Sequence, residues 1–231
     1  FVTRARALAA MALVADDPAG TLAEWCRSWD RPGTKIVFGL QDIAALAALD
    51  GDEQAFEACR RILAACPEAE QLSEKGGRKR LGYMTGAYLA PAYDLIAARL
   101  TAAERRAFCA WGADCAIRRT LQELDPRIFF SPGANIPIAG LNSAFLTALC
   151  LHGDRCAKAD DAALARLATM LETAVGGALS PDGYPLEDIG YGTAVASGLA
   201  VGVECARRLG VADIAATLPR YRLFGRAIQI G

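Results

Sequence analysis

The residues best equipped to do chemistry in this chain fall within one stretch, "SPDGYPLEDIGYGT", Ser180 to Thr193. It carries Asp182, Tyr184, Glu187, Asp188 and Tyr191, interspersed with glycines and prolines. A plain connector between helices is usually about 2–8 residues long, so this one is long for a turn. Paired carboxylic acids across a cavity serve glycoside hydrolysis. A positioned phenol transfers protons when a nearby cation favours phenolate, because free tyrosine has a pKa of about 10. Arg127 and the cluster Lys75, Arg78, Lys79 and Arg80 in "EKGGRKR" are candidate suppliers of that positive charge. Plainer readings stand beside these. Tyr191 also fits an aromatic plug at a helix start, and Tyr184 a turn residue after Asp182-Gly183. Glu187 and Asp188 also fit first-turn acids favoured by a helix dipole. Asn135 also fits a turn or cap, and the basic run a solvated loop.

The elements that must position these groups are helices. Alanine and leucine dominate and β-branched residues are sparse, a balance that favours helix over strand. Apolar residues recur at helical spacing: Phe56, Cys59, Ile62, Leu63 and Cys66, then Leu141, Ala144, Phe145, Ala148 and Leu149, then Leu164, Leu167, Leu171 and Val175. The pattern predicts about ten helical segments, over 2–14, 18–28, 36–49, 52–66, 83–99, 102–123, 137–152, 160–176, 191–209 and 211–229, the last broken near Pro219. Thr101 and Glu104 have capping-box spacing, and Pro67 is a stop signal. The longer connections fall at 67–82 and 125–137. "LAALDGDEQ" is echoed by "LTALCLHGDR". In both, a glycine (Gly51, Gly153) suits a left-handed helix end, and an aspartate (Asp52, Asp154) suits the next N-terminus. The echo suggests repeated helical hairpins, which stack into a solenoid or close into a ring. "YGTAVASGLAVGVECA" is apolar almost all round, as an inner buried helix would be. A loop leading into such a helix lies at the mouth of a cavity.

Composition narrows the function classes. The chain has 231 residues, is 53% hydrophobic and has a formal net charge of -1. Nothing global draws it to nucleic acid or to an anionic membrane. The longest apolar run, Tyr191 to Val203, is shorter than the ~20 residues a spanning helix needs. The 8 cysteines include no C-x-x-C pair, and there is one histidine. That argues against a Cys/His zinc site, so no metal or cofactor is expected and the thiols are expected to be free and mostly buried. His152 suits a helix C-terminus. Trp25 and Trp29, four apart on one face, suit core packing or sugar stacking.

Three blocks then support a comparison. "PAYDLIAARLTAAERRAF" from Pro91, "GANIPIAGLNSAFLTALCLHGD" from Gly133 and "LSPDGYPLEDIGYGT" from Leu179 resemble, in the same order, segments of the heparinase II/III-like polysaccharide lyases. The resemblance covers about residues 20–220 and implies one all-α domain over 1–231. That domain would be an incomplete (α/α) toroid of antiparallel hairpins, followed in a longer protein by a β-sandwich region.

The resemblance implies cleavage of a uronic-acid-containing polysaccharide by β-elimination, in the periplasm or outside the cell. Tyr191 matches the proton-transfer tyrosine, and Asn135 the asparagine that helps neutralise the uronate carboxylate. Tyr184, Glu187, Arg127 and Arg80 are the expected substrate-binding residues. The chain departs from the pattern at Ile136-Pro137, where family lyases commonly place a histidine, and at Asp188, usually glycine. Two other readings stay open: a six-hairpin toroid hydrolase with paired acids, and a non-catalytic scaffold that binds glycan or protein.

Overall fold

The computed structural model describes residues 1–24, 31–75, 81–123, 135–154, 156, 159–186 and 200–230. The fold is all-helical; among the described residues the one extended pairing is a bridge between Leu179 and Pro185. The helices are α1 (Val2–Leu13), α2 (Pro18–Ala23), α3 (Pro32–Leu49), α4 (Glu53–Lys75), α5 (Leu81–Ile96), α6 (Ala102–Trp111), α7 (Arg119–Glu123), α8 (Asn135–His152) and α9 (Asp161–Ala178). Residues 200–208 form α10, followed by α11 (Ile214–Thr217) and α12 (Pro219–Ile230). A π-helical segment, Gly112–Arg118, joins α6 to α7.

Local signals set several boundaries. Thr101 caps α6 reciprocally with Glu104: its hydroxyl accepts the Glu104 N–H, and the Glu104 carboxylate accepts the Thr101 N–H at 2.8 Å. Pro219 starts α12, where its missing N–H costs nothing. Gly51 takes φ +68°, and Asp52 accepts the Ala55 N–H at 3.0 Å. The expected stop at Pro67 is not found, and α4 runs through it to Lys75. A proline inside a helix costs about 3 kcal/mol. The two further turns bury Ala69, Glu70 and Ser73, and Glu70 makes long-range partners described below.

The helices form two rows. Tyr83 lies against Gly140, the Ser143 hydroxyl donates to the Gly82 carbonyl at 2.9 Å, and Tyr93 reaches Asp154. Increasing numbers match increasing numbers, so α5 and α8 are parallel. They approach closely because Gly86 faces Ser143 and Thr147 with no room for a Cβ. Gly82 meets Cys115 while Tyr93 stacks on Phe108, at 4.5 Å between ring centroids. The α6–α7 run is therefore antiparallel to α5. Arg60 pairs with Glu104 and Arg119 with Glu70, so α4 runs parallel to α6–α7. The Cys59 thiol donates to the Leu40 carbonyl at 3.9 Å across the turn at Gly51, so α3 is antiparallel to α4. Hence α3, α5 and α8 run one way, with α10 packed on α8 through Gly202 beside Asn142. The α4, α6–α7 and α9 elements run the other way.

The core lies between the rows. From Ile138 to Ala148, α8 is buried on almost every side. The same is not true of α10, which was expected to be buried all round. Gly202, Val203 and Ala206 are buried there, but Ala200 and Val201 are exposed, because only one face of α10 meets α8.

Candidate functional site

One end of the array collects the segments that the sequence singles out. Helices α8 and α9 have 18 residues each, and His152 at the end of one meets Asp161 at the start of the other, at 2.8 Å. Equal antiparallel helices put their other ends together as well, about 27 Å away at 1.5 Å per residue. Asn135 and the turn after Ala178 therefore share an end. By the pairings above, the starts of α3 and α5 and the ends of α4 and α7 belong to the same end. The segments 25–30, 76–80, 124–134 and 187–199 all leave from it or return to it. Arg80, Arg127, Glu187, Asp188 and Tyr191 fall in these segments and lie outside the described residues, as do Trp25 and Trp29. Asn135 is the first residue of α8, and its side chain is also outside the described set. The fold brings together the attachment points of the candidate residues.

The described half of the key stretch is a clipped turn. Gly183 N–H donates to the Ser180 carbonyl at 2.9 Å, Ser180 N–H to the Tyr184 carbonyl at 2.8 Å, and Leu186 N–H to the Ala178 carbonyl at 2.8 Å. The Ser180 hydroxyl accepts the Tyr184 N–H at 3.0 Å. Arg220 on α12 donates to the carbonyls of Gly176 and Leu179, closing the C-terminus of α9. Tyr184 projects with 45% of its surface exposed. Gly183 has φ +82°, and a Cβ there would stand 2.7 Å from the Leu223 Cβ and 2.8 Å from the Arg220 carbonyl. Gly183→Ala is expected to cost at least the ~1–2 kcal/mol of a left-handed L-residue. Because the clash lifts the turn off α12, a lower urea midpoint should be accompanied by faster proteolysis between 179 and 190.

Just behind this end lies a buried polar cluster that sequence reading missed. The Glu70 carboxylate accepts the Gly82 N–H at 2.7 Å and an Arg119 guanidinium N–H at 2.8 Å; Arg119 also pairs with Glu74. Burial raises the Glu70 pKa, against the opposing pull of the Gly82 N–H and of Arg119. The Trp111 indole N–H is close enough to Glu70 to lower that pKa, yet stops short of hydrogen-bond geometry. Glu70 falls in the stretch expected to be a loop, so no helical face marked it. Its chemistry is structural, since the carboxylate is shut away from solvent.

Two cysteines, Cys66 and Cys115, lie near enough to Glu70 to feel its charge. The seven described cysteines are free; Cys59 and Cys66 are fully buried and the other five half-buried. Burial pushes the Cys59 thiol up to about 12, and burial followed by Glu70 pushes Cys115 up to about 12. Since the thiolate is the nucleophile, Cys59 and Cys66 should resist a thiol reagent at pH 8 in the folded protein and react after denaturation. Modification of both at native rates would contradict their placement.

The opposite end departs from the sequence echo. Gly153 is not in the left-handed conformation that Gly51 adopts. Asp154 does not cap α9; Asp160 does, accepting the Ala163 N–H at 2.8 Å. Asp154 instead accepts the buried Tyr93 hydroxyl and faces Arg105 at 3.9 Å. The tertiary partner Tyr93 displaces the local cap. Among the described residues no His/Cys/Asp/Glu group could hold a metal ion, and no helix is long and apolar enough to cross a membrane.

Comparison with family models, with curated proteins and with solved structures finds no match to this chain.

Proposed function

We propose that this chain is the helical domain of a polysaccharide lyase that cleaves an acidic glycan by β-elimination, with its rows of hairpins curving into an open (α/α) toroid. The observation that carries the reading is the common end. The segments holding Arg80, Arg127, Glu187 and Tyr191, together with Asn135 at the start of α8, attach to one end of the helical array. Such an arrangement lets residues far apart in sequence act on one ligand.

In this mechanism Asn135 and the arginines neutralise the uronate carboxylate, which acidifies C5–H. Tyr191 removes that proton and then protonates the departing glycosidic oxygen. The C4–O bond breaks as the C4–C5 double bond forms, so no water or redox partner is consumed. Tyr184, exposed on the adjoining turn, offers a ring face to a neighbouring sugar.

The test is ultraviolet absorbance of the unsaturated uronate, using heparan-, chondroitin- and alginate-type substrates and the full-length protein. Product from one class supports the reading. Binding without product would replace it with a glycan-binding scaffold. New reducing ends without ultraviolet absorbance would replace it with a hydrolase.

A further inference from the structure

Two thiols meet at the end of the array opposite the candidate site. Cys109 lies late in α6, and Cys156 lies in the connection between α8 and α9. They are 47 residues apart in sequence, and the Cys156 thiol donates to the Cys109 carbonyl at 3.7 Å. The Cys156 carbonyl accepts the Ala159 N–H at 2.9 Å, and Ala159 is buried, so the connection is pinned with its thiol against α6. Both cysteines are half-buried and free. The two sulfurs also feel each other. Burial raises the Cys109 pKa and the nearby Cys156 thiol raises it further, against the opposing pull of the Tyr93 hydroxyl.

A proton path leads away from Cys109. The buried Tyr93 hydroxyl donates to the Asp154 carboxylate, which leaves the Tyr93 oxygen to accept the Cys109 thiol at 3.8 Å. The Tyr93 ring is held in place by Phe108, the residue before Cys109, stacked on it at 4.5 Å between centroids. The Asp154 side chain is 23% exposed, so the far end of the path reaches water. The Cys66 thiol also has a cysteine near it, Cys115, but Cys66 is fully buried and donates to the Ile62 carbonyl of its own helix at 3.5 Å. An oxidant in solution meets Cys156 and not Cys66.

We propose that Cys109 and Cys156 form a thiol–disulfide site that closes with hydrogen peroxide as the two-electron oxidant. The Cys156 sulfur attacks a peroxide oxygen; the O–O bond breaks, leaving a sulfenic acid on Cys156 and one water. The Cys109 sulfur then attacks the Cys156 sulfur, while its own proton passes to the Tyr93 oxygen and the Tyr93 proton to Asp154. The S–O bond breaks as the S–S bond forms, and the departing hydroxide takes a proton from Asp154 and leaves as a second water. Two thiols are oxidised and one peroxide is reduced. The bridge ties the α8–α9 connection to α6, and a cross-link over 47 residues of chain restricts the unfolded state. This site is independent of the glycan reading.

The test is treatment of the folded protein with hydrogen peroxide, followed by tryptic mapping without reductant, which needs no variant to fold. The expected product is one peptide pair joined through Cys109 and Cys156, undone by dithiothreitol. Cys115 shares a tryptic peptide with Cys109, and fragmentation tells the two apart. The bridge should raise the melting temperature by about 5–10 °C. Cys109→Ser should stop the reaction at a sulfenic acid on Cys156, trapped as a dimedone adduct, whereas Cys156→Ser should leave Cys109 without adduct. Tyr93→Phe keeps the stacked ring and removes the relay. It should slow closure by at least about tenfold and let the Cys156 sulfenic acid accumulate, with the rate of its formation unchanged; a tyrosine with only a packing role would not separate the two steps. A bridge between other cysteines, further oxidation of Cys156 without a bridge, a dimedone adduct on Cys109 in place of Cys156, or an unchanged closure rate in Tyr93→Phe would each overturn the proposal.

Discussion

Arg119→Ala is expected to lower the unfolding free energy by about 3–5 kcal/mol, the usual cost of removing one partner from a buried ion pair. The Glu70 side chain is 4% exposed and Arg119 15%, so solvent does little to screen the loss. Removing the guanidinium strands a carboxylate that burial already disfavours. The pH dependence has a definite sign. Burial raises the folded-state pKa of Glu70 above its unfolded value. Its contribution is therefore fully present below the unfolded value near 4.5 and is lost as pH rises through the folded value. Without Arg119 that folded value rises further, so the penalty should be largest near neutral pH and shrink toward pH 4.5. Glu70→Gln added to Arg119→Ala should recover part of the loss, since a neutral amide tolerates burial better than a charge. Urea unfolding of the two variants at neutral and acid pH measures all of this. A penalty under 1 kcal/mol at pH 7 would mean that the cluster is not the buried brace between α4 and α7.

Tyr191→Phe is expected to lower turnover on an acidic glycan by about 10²–10⁴-fold, the contribution of a positioned acid–base group. The substitution keeps the ring and removes only the hydroxyl, so the melting temperature should change little. Tyr191 falls in the stretch that resembles the lyase segment, eight residues after the clipped turn at Gly183. Turnover equal to that of the parent protein would remove Tyr191 from the mechanism. Tyr184→Phe serves as the comparison, because a stacking ring does not need its hydroxyl. The two variants should differ by at least tenfold if proton transfer belongs to Tyr191 alone.

The sequence by itself determined the helical class and the local punctuation. The Thr101–Glu104 box, the break at Pro219 and the Gly51–Asp52 junction each depend on groups within about four residues of one another, so a linear reading finds them. It also singled out the stretch from Ser180 to Thr193, whose first half folds into the turn clipped by Ser180 and Gly183.

The tertiary structure decided the rest. Pro67 reads as a stop because the chain alone cannot show that Glu70 meets Arg119 and Gly82 on neighbouring helices. Asp154 reads as a cap because its stronger partner, Tyr93, lies on another helix of the same row. The close seat of α1 on α3 exists because Gly39 leaves room for the Leu8 side chain. The gathering of the scattered candidate segments at one end follows from alternating helix directions. Each of these rests on contacts between elements distant in sequence, and such contacts leave no periodic trace in the chain. Local hydrogen bonds and helical period are written in neighbouring residues, whereas burial and ion pairing are set by which surfaces the packed helices bring together.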